Sequence, residues 1–132
     1  MSCGPPAVLE AADVSAVTQL ILRERFGRDL EVMLSSHTRL LLRAERHPGV
    51  WRLFGFDPVY LRDEIAPVIP GQRVAIDPAA LKDFRPSYRF LSYCFASVGY
   101  PVPNDLAGVD RPELIDALMR EIYGWAGLAV PH

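Results

Sequence analysis

Asp57 is the residue of this sequence with the most to offer acid-base chemistry. Strand alternation places it with Leu53, Val59, Leu40 and Leu42 on an apolar face, with Thr38 diagonal to it. A carboxylate desolvated in this way has a raised pKa and suits a general acid or base inside a pocket. The competing reading is that Asp57 ends its strand, its side chain bonding backbone in an Asp57-Pro58 turn. On the other face, His37 lies across from Tyr60. The pair suits a proton relay, since imidazole titrates near neutrality, or a plain interface contact. Arg62 and Asp63 follow and would meet an anion or simply be solvated. The candidate set is therefore Asp57 for proton transfer, with Thr38, Tyr60, His37 and Arg62 as substrate-binding groups.

Other chemistries lack their residues. There is no Gly-x-Gly-x-x-Gly, Walker loop, Cys-x-x-Cys, His-Glu-x-x-His or nucleophile elbow, so no cofactor is expected. His37 and His47 have no Cys or carboxylate at ligand spacing, and no metal is expected either. The aromatic residues from Tyr88 to Phe95, with Trp51, Phe54, Phe56 and Trp125, would line an apolar pocket or pack one core.

The elements that must position these residues are short and sharply punctuated. Asp13 offers an N-cap to a helix over about 13–27, carrying Val14, Val17, Leu20, Ile21 and Leu22, with Glu24 and Arg28 paired outside and Gly27 as the stop. The period then changes to two over 30–45, predicting one long strand. His47-Pro48-Gly49-Val50 is a turn, and a second strand covers 51–61. Pairing His47 with Val50 sets Glu45 opposite Arg52, Leu41 opposite Phe56 and His37 opposite Tyr60, unless a bulge exchanges the faces. Helices are expected near 78–84, capped by Asp77, near 87–98, opened by Pro86, and near 111–125, where Asp110 and Glu113 have capping-box spacing. The chain divides into a tail over 1–12, a helix-plus-hairpin unit over 13–66 and a Pro-rich connector with a helical extension over 67–132.

Composition bounds the function. With 132 residues, half of them hydrophobic and a formal net charge of -2, the chain fits one globular domain. That balance offers no basic stripe for phosphates, so nucleic acid and polybasic membrane attachment are not expected. No apolar run approaches the ~20 residues that cross a bilayer. Cys3 and Cys94 are too few for a disulfide framework, which fits a cytoplasmic protein. Eight of the 12 prolines fall between Pro58 and Pro112, so that half consists of short elements between fixed turns.

Three stretches together resemble a known family. Asp13-Val14-Ser15-Ala16-Val17 with Leu22-Arg23-Glu24-Arg25-Phe26-Gly27-Arg28-Asp29 resembles the opening helix of SnoaL-like proteins, within the nuclear transport factor two-like superfamily. Ser35 to Leu41, then Gly49-Val50-Trp51-Arg52-Leu53, Gly55, Asp57, Tyr60, Arg62 and Asp63, are similar to its late strands. Pro70-Gly71, Arg85 to Leu91, Gly99-Tyr100, Asp105-Leu106 and Asp110 to Glu113 resemble a C-terminal extension of some members.

The resemblance implies an α+β fold, a shortened cone with an N-terminal helix, a long antiparallel hairpin and a C-terminal helical extension. The middle of the cone, where active members commonly carry His and Asp catalysts, has no counterpart. It implies a pocket for a small, mostly apolar ligand, with cofactor-independent dehydratase, isomerase or cyclase chemistry if the chain is active. The alternative is a non-catalytic remnant or self-associating module. A lone hairpin is marginal and leaves an open edge, so a homodimer or higher homo-oligomer is expected.

Overall fold

The computed structural model describes residues 8–23, 26–27 and 29–131. Its centre is a three-stranded antiparallel sheet in the order β1 (Val8–Arg23), β2 (Glu31–His47), β3 (Val50–Pro67). A single 3-10 turn follows at Pro78–Leu81, and another at Pro86–Tyr88 leads into helix α1 (Arg89–Ala96); helix α2 (Pro112–Trp125) comes last. The fold is α+β, but the expected opening helix is a strand. The Glu24–Arg28 pair, Cys3 and residues 1–7 of the expected tail lie outside the described residues.

The correction at β1 has a physical reason. Val14, Val17, Leu20 and Ile21 satisfy helical spacing, yet Val8, Val14, Val17, Thr18 and Ile21 are β-branched and pack well on a pleated surface. The backbone groups on one side of β2 also need partners. All 16 residues of β1 supply them, pairing with Glu31 to Arg46 without a register shift. Asp13 is therefore no cap: its carboxylate binds the Arg39 guanidinium across the pair at 2.5 Å.

The hairpin forms as its turn residues dictate, Gly49 taking φ +78° after Pro48 in the manner of a type II turn. His47 pairs with Val50 and Glu45 with Arg52, as the spacing predicts. The register then shifts between Arg43 and Ala44 and again between His37 and Thr38. Leu41 therefore faces Asp57 rather than Phe56, and His37 faces Arg62 rather than Tyr60. Pro58 does not end β3. It lies on the sheet's outer strand, where a missing N–H is tolerated, and the strand runs on to Pro67.

One helix covers each face. On one side Met119, Ile122 and Tyr123 of α2 enclose Leu41 and Val59, the molecule's main core, and full burial of side chains such as Leu41 and Ile122 stabilises by roughly 1.5 to 3 kcal/mol each. On the other side α1 lies over Leu34, Thr38 and Leu40. Helix α1 is held there by the sheet itself: the backbone N–H groups of Phe90 and Leu91 donate to Asp63 at 3.3 and 2.8 Å. Asp63 is thus a buried cap, not a solvated charge.

Asp77 caps its turn as expected, accepting from the Ala79 N–H, but that turn is 3-10 and ends at Leu81. Asp110 and Glu113 do not form a capping box. Asp110 instead receives Arg85 Nε and Nη2 at 2.5 and 2.8 Å and the Ser87 hydroxyl at 2.5 Å, while Glu113 turns to Arg111. Arg85 Nη1 also donates to the carbonyls of Asn104 and Leu106. This knot fixes the 103–111 loop to the start of α1. A Cβ at Gly108 would collide with Ser87 Oγ and Asp110 Oδ1, so only glycine fits beside it.

Candidate functional site

The two register shifts decide which candidates meet. Each inserts one residue into β3, first Phe54 and then Leu61, and one inserted residue exchanges the faces that follow. Asp57 is carried to the α2 side, where it receives Arg43 Nη2 at 3.1 Å and borders an open depression with Asp105 and Glu121. His37 and Arg62 also lie on that side, His37 Nε2 sitting 3.0 Å from Glu64 Oε1. Tyr60 is carried the other way and becomes the direct partner of Thr38. Of the five candidates, only Thr38 and Tyr60 share a concave site.

That site is a cleft of about 250 Å³ between the sheet and α1. Leu20, Leu34 and Leu40 form its floor, Leu91 and Phe95 its roof, and Phe56 and Pro58 one side. Four hydroxyl residues, Thr18, Ser36, Thr38 and Tyr60, interrupt the apolar lining. Ser36 is only 6% exposed, and its Oγ has no hydrogen-bond partner. Thr38 Oγ1 lies 3.5 Å from the Ala16 carbonyl, a weak bond at best. Burial, and secondarily neighbouring Tyr88, pushes the Tyr60 phenol above its ordinary range. The Tyr60 and Tyr88 rings pack 4.8 Å apart, which fixes the phenol's direction.

The cleft can donate hydrogen bonds to a buried acceptor. It is poorly equipped to move protons, because Tyr60, its one titratable lining group, stays neutral at physiological pH. Burial also raises the pKa of nearby Asp63, against the lowering effect of the Leu91 and Phe90 N–H groups, but those bonds commit its oxygens to α1. Among the described residues, no group of three or more His, Cys, Asp or Glu is arranged to hold a metal ion, and no helix is long and apolar enough to cross a membrane.

Ser36 was not among the sequence candidates. Its signal was a hydroxyl inside the stripe Leu34, Ser36, Thr38, Leu40, where alternation leaves only side chains of one face. No family model matches the chain, and no curated protein matches it. The SnoaL-like resemblance thus stands on its residues alone, and its opening segment is strand β1 rather than a helix.

Proposed function

We propose that the cleft binds a small, mostly apolar molecule carrying one hydrogen-bond acceptor, and that the chain binds it without turning it over. The observation that carries this reading is the unpartnered Ser36 hydroxyl in a mostly apolar cleft. A buried hydroxyl without a partner costs stability, and a ligand carbonyl or ether oxygen would satisfy it. Thr38 and Tyr60 stand beside it as further donors. The cleft is smaller than the ~300 to 1,000 Å³ typical of drug-sized ligand sites, so the ligand is a compact one. The SnoaL-like resemblance points to the same ligand class, and in this reading lyase, isomerase or cyclase chemistry is ancestry only. Asp57 has no part in it, since Arg43 holds it on the opposite face.

Calorimetric titration with the bicyclic ketone tetralone and its hydrocarbon tetralin tests the proposal. Both should bind, and Ser36→Ala should weaken the ketone roughly tenfold while leaving the hydrocarbon unchanged. Equal loss for both, or no binding of either, would sink the reading. Turnover of a ketone substrate abolished by Asp57→Asn in a folded chain would replace it with an enzyme.

A further inference from the structure

The two outer edges of the sheet are finished differently. On β3, Pro58 and Pro67 remove donors, two register shifts bend the strand, and the 107–109 segment takes both backbone groups of Tyr60: its N–H donates to the Ala107 carbonyl and Val109 N–H donates to its carbonyl, both at 3.0 Å. These are the devices by which sheets avoid pairing with other chains. Strand β1 has none of them. It carries no Pro and no Lys, its register with β2 is unbroken, and among the described residues no backbone group bonds its outer side. Val17 and Ile21 are exposed along it.

We propose that the outer edge of β1 is completed by β1 of a second copy, antiparallel and centred on Thr18, so that two three-stranded sheets become one. A two-fold axis perpendicular to the sheet keeps each face on its own side, so residues of like parity must pair. The charges choose among the registers that remain. The described β1 carries Glu10, Asp13 and Arg23, and centring on Thr18 sets Asp13 opposite Arg23 of the second copy twice over. Within one chain Asp13 already binds Arg39, and Arg23 binds Glu31 at 3.0 Å. Each end of the joint would therefore carry an alternating row: Arg39, Asp13, then Arg23 and Glu31 of the second copy. On the cleft face the same register pairs Val14 with Leu22 and Ala16 with Leu20, favourable apolar cross-strand pairs.

The joint also bears on the cleft. Thr18 and Leu20 are its lining residues on β1, at the sheet margin. Centring on Thr18 places Thr18 and Ala16 of the second copy beside them, so each copy extends the other's cleft floor. The self-pairing itself does not rest on the ligand reading, because assembly is measured without ligand.

Sedimentation of the full chain at about 50 μM should show a dimer, and Thr18→Lys, which sets like charges opposite each other, should raise the dissociation constant at least roughly tenfold with circular dichroism unchanged. In a Cys3→Ser background, Thr18→Cys should form an intermolecular disulfide, because directly opposed Cβ atoms lie within bridging distance. Val14→Cys should bridge only when mixed with Leu22→Cys chains. This cross-linking keeps the test decisive if Thr18→Lys fails to fold. A folded monomer at that concentration would overturn the proposal. So would cross-linking through Leu53→Cys on the exposed hairpin face in place of Thr18→Cys, or a dimer indifferent to Thr18→Lys.

Discussion

The two faces of the sheet are built from the same three strands and are finished in opposite ways. Under α2, Leu41 and Val59 are fully buried against Met119, Ile122 and Tyr123, and the Tyr123 phenol is the one polar group of that cluster. Under α1, the corresponding layer holds hydroxyls, a capping carboxylate and an unfilled cleft. A face packed with complementary apolar side chains stabilises the fold, whereas a gap lined by leucines and an unpartnered hydroxyl forgoes such contacts. The α2 side is the scaffold, and the α1 side holds the cleft in which binding is proposed.

The largest expected effect tests the scaffold. Leu41→Ala should destabilise the chain by about 3 kcal/mol, because it leaves a cavity between strand and helix where nothing can collapse fully. Denaturant melts would show the midpoint fall at unchanged slope. A loss below about 1 kcal/mol would remove the distinction between the faces.

The knot that ties the connector to α1 comes next. Hydrogen bonds from Arg85, and then from Ser87, hold the Asp110 carboxyl at about 2, below its ordinary 3.8. A lowered folded-state pKa means a contribution present above the unfolded value and lost as pH falls through the folded one. After discounting for partial exposure, stability should fall by about 1 to 2 kcal/mol between about pH 4 and pH 2 from this group. Asp110→Asn should cost about 2 kcal/mol at neutral pH and flatten that acid limb. Melts across pH measure both; an unchanged acid limb would show the knot to be energetically idle.

The smallest effect belongs to the cleft. Ser36→Ala should change stability by less than about 1 kcal/mol, in either direction, since the hydroxyl it removes has no partner to lose. A cost above about 2 kcal/mol would mean that the hydroxyl is already bonded in solution and is not waiting for a ligand.

Much of the architecture was legible because it is local. Pro48-Gly49 specifies its own turn, Asp77-Pro78 its own cap, and Pro86 and Pro112 the starts of the segments they open. The site was less so. Thr38 and Tyr60 were both visible as candidates, but uninterrupted alternation put them on opposite faces, and it put Asp57 on the face where Tyr60 now lies.

By itself, then, the sequence determined an antiparallel hairpin joined at Pro48-Gly49, a helical C-terminal half, and a chemistry poor in metal ligands and basic patches. Tertiary structure alone decided the rest. Residues 13–27 carry helical spacing, but the unsatisfied backbone of β2, at least eight residues away along the chain at every pair, makes 8–23 a strand. The inserted Phe54 and Leu61 are likewise invisible to periodicity, because a bulge forms where long-range packing on both faces outweighs a regular ladder. Each moves every later side chain across the sheet, which is why Tyr60, and not Asp57, stands in the cleft.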